Sequence, residues 1–519
     1  MGEVTSISDF VREAAEELGL TGRPLIQIRA GEIAAAADAV EGALLEAKVP
    51  FFVRGGLVRP FAQSAPASGG SMTSVPALAP VDAPTILDHA ARTADMVKFD
   101  GRAQGYVPTD LPTQVANVIL SRTGGWKFPP LASVISTPTM RPNGTILSRA
   151  GYDETTRTFL VDPLELPEIP DNPTKDDAKV ALELLENLLA DFPFIARSDH
   201  AVALSGLLTT VARGALSVAP LHAITAHVAG SGKSYLVDIA AALSIGNRAP
   251  ALSVGRSDEE TEKRLGAALL AARPILSIDN VNGELGGDFL CQAVERPMVA
   301  MRPLGGSQIV NIENRTTIFA TGNNIAIRGD MTRRTLLCSL DANEERPELR
   351  RFGANPFGAV MGDRGKYVAA ALTVIRAYVV AGYPEQLPAL ASFEDWSRMV
   401  RSALVWLGHD DPCDTMIRAR DSDPERSNLC AVATAWRAIA GDEWMLAGEI
   451  IARATEQSDN DDLRGALMAV AEHRRGGKID PTRLGKYLTR NEGRIVEGVK
   501  AACRIHTHSK SKIWRFESI

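Results

Sequence analysis

The chain has 519 residues, 45% of them hydrophobic and 23% charged, with a formal net charge of −7 and a pI near 5.8. That length supplies roughly three self-contained cores, and the acid excess excludes a surface that attracts polyanions everywhere, so any nucleic-acid contact must be local. Five scattered cysteines (Cys291, Cys338, Cys413, Cys430, Cys503) without C-x-x-C spacing exclude a disulfide framework, show no zinc site and point to reduced thiols in a cytoplasmic setting.

The first ten residues lack a basic region followed by an apolar run, and no apolar stretch reaches ~18 residues without a charge, so neither a signal peptide nor a membrane span is expected. A short amphipathic helix is predicted around Phe10 to Leu18 and an alanine-rich one from about Gly31 to Ala47, with I-Q-I-R between them. Gly55-Gly56 between two apolar runs signals a tight hairpin. Residues 63–80, low in charge and rich in Ser, Ala, Pro and Gly, are expected to be a flexible loop or linker. They close a small N-terminal α/β domain (1–80) before a mixed α/β collar (81–170), which holds a helix near Leu111 to Ser121 and a hairpin at Pro142-Asn143-Gly144. Prolines among acids from Pro163 to Asp176 mark a boundary. Helices from about Lys175 to Leu189 and from Asp199 to Leu216 lead into residues 221–340, where strands alternate with helices as in a parallel sheet with crossovers. One amphipathic helix over 356–382 ends the central unit (171–385), a helical domain follows (386–470), and residues 471–519 form a small basic unit.

Within the central unit, L-H-A-I-T-A-H-V-A-G-S-G-K-S-Y-L-V-D-I-A-A from Leu221 to Ala241 reads as strand, phosphate loop, helix. Gly230 and Gly232 let successive N–H groups point at a phosphate, and Ala229, Ser231 and Tyr235 are counted in the loop. Lys233 supplies a cation to the β/γ oxygens and Ser234 can hold Mg2+, so ATP and Mg2+ are the expected ligands. His227 stands where the full G-x-x-x-x-G-K-[ST] pattern has glycine, and a glycine-rich turn before a helix is the competing reading.

Roughly 40 residues on, Ile275 to Ile278 is a buried-strand pattern ending in Asp279, a carboxylate suited to Mg2+, directly or through a water. The bland alternative is an ordinary core strand. Asn280 follows where a hydrolytic ATPase usually has a second acid, which leaves Glu284 or Asp288 as the base, or slow hydrolysis. The stretch N-R-T-T-I-F-A-T-G-N-N gives another buried strand, with Asn323 at its end to orient water near a γ-phosphate. Arg328, Arg333 and Arg334 come next; Arg333 and Arg334 are favoured as the arginine finger reaching a neighbouring subunit, against a solvated face. Between the acid strand and the strand bearing Asn323, M-R-P-L-G-G-S-Q-I-V-N-I-E-N is a hairpin, with Arg302 as the residue to touch a DNA backbone or simply solvent. In the C-terminal unit a helix starting near Asp480-Pro481 sets Arg483, Lys486 and Arg490 on one side, and I-H-T-H-S-K-S-K-I-W-R-F forms a hairpin with Lys510 and Lys512 at its turn. Helix, helix, hairpin with local positive charge suits a winged-helix DNA-binding module, the alternative being a helical lid with solvated charges. His506 and His508 read as surface side chains rather than metal ligands.

The order A-G-S-G-K-S, L-S-I-D-N-V, hairpin, F-A-T-G-N-N, R-G-D-M-T-R-R resembles the ATPase core of superfamily-three and MCM-like AAA+ helicases encoded by phages, plasmids and integrated elements. Upstream, I-S-T-P-T-M-R-P-N-G-T-I-L-S-R-A-G-Y-D resembles the segment preceding that core in such replication proteins, so the likeness covers about residues 105–385. It implies an α/β P-loop AAA+ core with a mixed α/β N-terminal region and a helical, winged-helix-like C-terminal domain. It further implies a ring, a homo-hexamer, with ATP between subunits, the arginines acting in trans, and hairpins lining a pore that holds single-stranded or forked DNA, with replication proteins as partners and no membrane. The implied activity is that of an ATP-dependent DNA helicase or replication motor. An ATP-switched initiator or loader that unwinds nothing, and a signalling or defence P-loop ATPase, stay open beside it.

Overall fold

The computed structural model describes residues 22–66, 72–255, 257–303, 308–344, 346–349, 353–456, 460–473, 476–507 and 510–519. The helix expected at Phe10 to Leu18, Arg474, Arg475 and His508 lie outside them.

The N-terminal unit runs through β1 (Leu25–Gln27), α1 (Ile33–Glu46), β2 (Phe52–Val53), β3 (Leu57–Pro66), β4 (Met72–Pro80), α2 (Ala83–Thr93), β5 (Asp95–Asp100), β6 (Gly105–Pro108) and α3 (Thr113–Ser121). Helical spacing in α1 turns Ala36, Val40 and Leu44 inward, where they meet Ile86 of α2, Met96 of β5, Val115 and Ile119 of α3 and Phe128. The division anticipated at 80/81 therefore falls inside one core that extends to about residue 128.

Residues 63–66 and 72–80 are not a linker. Beyond the segment 67–71, they belong to a long antiparallel hairpin whose register runs unbroken from Val58 opposite Pro80 to Pro66 opposite Met72. β2 covers only Leu57 and Val58, so past that point each strand keeps one free edge, where prolines cost no ladder hydrogen bond. The hairpin leans on the central unit, and Asn247 donates a hydrogen bond to the Pro66 carbonyl at 3.1 Å.

At the β2–β3 turn, Gly55 at φ +67° makes the expected tight reversal and Arg54 is 4% exposed. Its guanidinium donates to the carbonyls of Leu131, Ala132, Leu269, Leu270 and Glu313, at 2.6 to 3.2 Å. Burial pushes this group down to about 10, opposed by the nearby Glu313 carboxylate, so it stays charged at neutral pH and all three of its nitrogens donate. Short strands follow: β7 (Ser133–Ile135), β8 (Thr139–Met140), β9 (Ile146–Leu147), β10 (Gly151–Asp153) and β11 (Thr158–Leu160), with Pro142-Asn143-Gly144 turning β8 into β9.

The central unit contains α4 (Lys175–Glu186), α5 (Arg197–Ala212), β12 (Leu221–Ala226), α6 (Lys233–Ile245), β13 (Ala251–Ser253), α7 (Asp258–Leu270), β14 (Ile275–Leu285), α8 (Asp288–Glu295), β15 (Met298–Met301), β16 (Val310–Glu313), β17 (Thr317–Ile327) and β18 (Thr335–Leu340). β13, β14, β17, β12 and β18 form, in that order, one fully parallel sheet. β12, β18 and the first halves of β14 and β17 are buried almost throughout, as cover on both faces demands, whereas β13 at the edge and the far ends of β14 and β17 are partly exposed. The single helix expected over 356–382 is two, α9 (Pro356–Gly362) and α10 (Arg364–Val380), because the Asp363 carboxylate accepts the Lys366 N–H and starts a new helix.

Inside the sheet, His222 of β12 is 1% exposed, with Nε2 3.0 Å from the Ser205 hydroxyl. Burial pushes its imidazole from 6.5 down to about 3, against the Pro220 carbonyl, which raises it. Because the unfolded chain takes up a proton that the folded one refuses, stability falls as pH drops below about 6.5. The loss reaches about 2 kcal/mol at pH 5. Urea unfolding at a series of pH values should show the His222→Leu variant with a slope shallower by about one proton over pH 4–6.

Trp396, Met399, Leu404 and Ala419 join the central core. The C-terminal unit comprises α11 (Pro424–Ala440), β19 (Met445–Leu446), α12 (Ala447–Glu456), α13 (Asp461–Ala471), α14 (Pro481–Arg490), β20 (Ile495–Val496), β21 (Val499–Ile505) and β22 (Lys512–Ser518). It is organised around Trp436, Trp514 and Phe516, each fully buried and worth about 2 kcal/mol or more. The boundary expected at 470/471 therefore moves to about residue 422. Among the described residues no helix is long and apolar enough to cross a membrane.

Candidate functional site

β12 ends at Ala226, and the chain loops through His227 to Ser231 before α6 begins. Gly230 and Gly232 take φ values of +80° and +92°, which residues with a Cβ rarely adopt, and Gly232 is the residue from which α6 starts. The exposed loop thus presents backbone N–H groups and the positive end of a helix dipole. Lys233 is folded back, its Nζ donating to the Val228 carbonyl at 3.0 Å, and the Ser231 hydroxyl donates to the same oxygen at 2.7 Å. Burial pulls the Lys233 ammonium below its usual range, with Asp279 opposing the shift.

Phe192 packs beneath this loop, stacked on Tyr235 with ring centroids 6.2 Å apart, and a Cβ on Gly232 would sit 3.3 Å from its ring. The Tyr235 hydroxyl donates to Asn355 at 2.8 Å and accepts the Phe357 N–H at 3.3 Å, tying α6 to the start of α9. His227, at the position where the motif has glycine, is exposed, and its Nδ1 lies 2.9 Å from Asn324 Oδ1.

β14 does not stop at Asp279, as expected, but continues to Leu285. Ile278 pairs with Ala320 and Val281 with Gly322, so Asp279 and Asn280 together oppose Thr321 alone. This is a β-bulge, with Asn280 at φ +56°, and it turns the Asp279 carboxylate out of the ladder. Asp279 Oδ1 accepts from the Ser234 hydroxyl at 3.2 Å and from the Thr321 hydroxyl. Ser234, Thr321 and Asp279 thereby converge from α6, β17 and β14. A serine hydroxyl and a carboxylate oxygen this close form the hard-oxygen pair that a Mg2+ ion takes.

β17 likewise runs past its expected end to Ile327, with Gly322 where a Cβ would meet the Val281 carbonyl at 2.1 Å. Asn323 is half-buried, and its Oδ1 has no hydrogen-bond partner among the described residues. Continuation of β14 removes Glu284 from contention as a base, because five residues of strand carry it roughly 16 Å beyond Asp279. Glu284 faces Arg328 instead, at 3.5 Å, and Asp288 opens α8 further along. Asn280 is exposed at the bulge.

The arginine pair separates. Arg334 is 4% exposed, its guanidinium bound to Glu295 Oε2 and, at 2.6 Å, to the Asp330 carbonyl. It is held within its own chain, so the expectation that both arginines reach outward is corrected. Arg333 is half exposed, with only loose approaches of 3.6 Å to Glu295 and Asp330.

The expected DNA-facing residues lie elsewhere. Arg302 is exposed at the end of β15, in the β15–β16 hairpin, whose residues 304–307 are outside the described set. Arg483, Lys486 and Arg490 are exposed on α14, which Asp480 caps by accepting the N–H groups of Thr482 and Arg483. Arg483 donates to the Glu472 carbonyl and Arg490 pairs with Glu425 at 3.2 Å. Lys510 is in the turn between β21 and β22, and Lys512 begins β22.

Three contributors escaped sequence reasoning: Thr321, Phe192 and Asp423. Asp423 is 2% exposed and caps α11, accepting the Glu425 N–H at 3.0 Å. It also accepts the Gly329 N–H at 3.1 Å, beside the Arg333 segment, and faces Arg494 of the C-terminal unit at 3.5 Å. An Asp-Pro pair opening a helix was its only signal in sequence.

No family model matches the chain. No curated protein matches it. Among solved structures, two of the apo C-terminal region of NrS-1 align at 10% identity, with TM-scores of 0.33 and 0.35. They cover 82% and 84% of this chain and 97% and 100% of theirs. NtrX from Brucella abortus, in complex with ATP, aligns at 13% identity with a TM-score of 0.20, over 60% of this chain and 78% of that one.

Proposed function

We propose that this chain is an ATP-hydrolysing DNA motor of the AAA+ type, a helicase or replication motor of a phage or mobile element that works as a ring around DNA. The observation that carries the reading is Asp279 Oδ1 accepting hydrogen bonds from both Ser234 and Thr321, at the head of a phosphate-loop helix. Strand order supports it, since β17 lies between the loop strand β12 and the acid strand β14 and brings Asn323 to the same end of the sheet.

The loop N–H groups and Lys233, released from the Val228 carbonyl, bind the β/γ phosphates of ATP. Ser234 and Asp279 would hold Mg2+, which supplies charge neutralisation at those oxygens. Thr321 keeps Asp279 aimed at the site. Asn323, with an unclaimed carbonyl oxygen, orients the attacking water without carrying charge. Arg333 of an adjacent subunit stabilises the charge on the transferring phosphoryl group. Arg302 on the β15–β16 hairpin contacts one DNA strand, and Arg483, Lys486, Arg490, Lys510 and Lys512 meet phosphates of the duplex at a winged-helix-like C-terminal unit.

A second reading is favoured by Asn280 and by the position of Glu284: with neither acid poised beside Asp279, ATP serves as an assembly switch for an initiator or loader. Turnover, forked-duplex unwinding and particle size, each with and without ATP and single-stranded DNA, separate the two. The motor reading expects DNA-stimulated turnover with unwinding, and Lys233→Ala lowering both by about a hundredfold. ATP-dependent assembly without strand separation would leave only the loader. DNA binding that does not weaken with salt would remove both.

A further inference from the structure

We propose that Glu186, His200 and His409 form a binding site for a divalent transition-metal ion of the zinc type, separate from the nucleotide site. The three come from different places: the last residue of α4, the first turn of α5, and the loop that follows the short helix at 402–406. One carboxylate oxygen and one nitrogen from each imidazole lie within 4.8 Å of one another. His409 Nε2 is 3.3 Å from Glu186 Oε1, and the two imidazole rings are 6.0 Å apart, tilted by 32°.

Two imidazoles and a carboxylate are the donor set that Zn2+ takes with a water in the fourth position. Tetrahedral bonds of about 2.0–2.1 Å place donor atoms roughly 3.3 Å apart, a spacing the His409–Glu186 pair already has. The remaining closure is small enough for side-chain rotation. A structural ion pair would explain His409 and Glu186 but gives no reason for a nitrogen of a second imidazole to lie within 4.8 Å of both.

The supporting backbone is firm. Gly408, at φ +98°, ends the short helix, and the His409 N–H bonds back to the Leu404 carbonyl at 3.1 Å, fixing the ligand's starting point. Glu186 sits where α4 exposes its terminal carbonyls, a position that disfavours a bare carboxylate and favours a neighbouring cation. Arg197 faces Asp410 at 3.4 Å, and its charge still reaches both imidazoles and favours their neutral, metal-binding form. Side chains of His409 and Glu186 are 17% and 33% exposed, so an ion can enter and a water can complete its shell.

The ion would clasp α4, α5 and the 408–409 loop. His200 meets the Phe194 ring edge-on at 5.2 Å, and Phe194 neighbours Phe192, the ring beneath Gly232 and Tyr235. Occupancy would therefore brace the segment under the phosphate loop, a structural role that does not depend on ATP being the ligand there.

The test uses the full chain, stripped with a chelator and dialysed against Zn2+ or Co2+ without nucleotide. One zinc ion per chain should remain bound, the melting temperature should rise by about 3 °C or more, and Co2+ should give the visible absorption of a four-coordinate nitrogen and oxygen site. His200→Asn and Glu186→Gln should each lose the bound ion and the melting shift. Equal zinc content in wild type and both variants would overturn the proposal, as would a wild-type Co2+ spectrum of hydrated six-coordinate ion. If a variant fails to fold, the wild-type Co2+ spectrum decides alone.

Discussion

Arg333→Ala is expected to lower ATP turnover about a thousandfold with little change in melting temperature, whereas Arg334→Ala does the reverse. The half-exposed Arg333 has only loose ion pairs within its own chain, so on the proposed reading its removal would be felt where a guanidinium meets a transferring phosphoryl group. Arg334 is buried against Glu295, and truncating it leaves a partly buried carboxylate without its main partner, at a cost of about 3 kcal/mol. A mixing assay checks whether the finger acts across subunits. Lys233→Ala chains retain the finger and Arg333→Ala chains retain the phosphate loop, so neither hydrolyses ATP alone. If the chains form the proposed ring, mixing pairs one with the other and turnover should return. Continued inactivity across all mixing ratios would mean that Arg333 does not act in trans.

The second large effect belongs to Gly322→Ala. A methyl group there would stand 2.1 Å from the Val281 carbonyl oxygen and 2.9 Å from Ile325, and backbone cannot give way as a side chain tip can. The strand pair must part locally, at a cost of about 3 kcal/mol. The same displacement moves Thr321 and Asn323, which flank the glycine, so affinity for a fluorescent ATP analogue should fall with stability. Urea unfolding and nucleotide titration measure the two together. An alanine variant of native stability would show that the bulge at Asp279 can relax.

Local chemistry made much of this site legible. The turn at Gly230 and Gly232, the helix start at Lys233 and Ser234, and the apolar run before Asp279 could be read because strand and helix periods and a glycine-rich turn leave marks within a few residues. Pairing across strands left none. That Thr321 stands opposite a two-residue bulge, and that Gly322 permits it, follows from which strand neighbours which. For the same reason the strands continuing past Asp279 and Asn323 were read as ending. Arg333 and Arg334 look alike in sequence, and only the location of Glu295, on α8, separates them. Residues 63–80 misled because composition speaks of solvation, whereas a hairpin pressed against a larger body needs only continuous register. His200 and His409 are 209 positions apart (409 minus 200), beyond any spacing rule.

Arg54 carries a consequence for how force would travel. Its donors reach Glu313, the foot of the β15–β16 hairpin, and Leu269 and Leu270, where α7 ends, while its own backbone is the N-terminal unit's turn. One side chain thus bonds three parts together. Displacing the hairpin's foot would therefore strain the same guanidinium that holds the N-terminal unit's turn, so the two are coupled through one side chain.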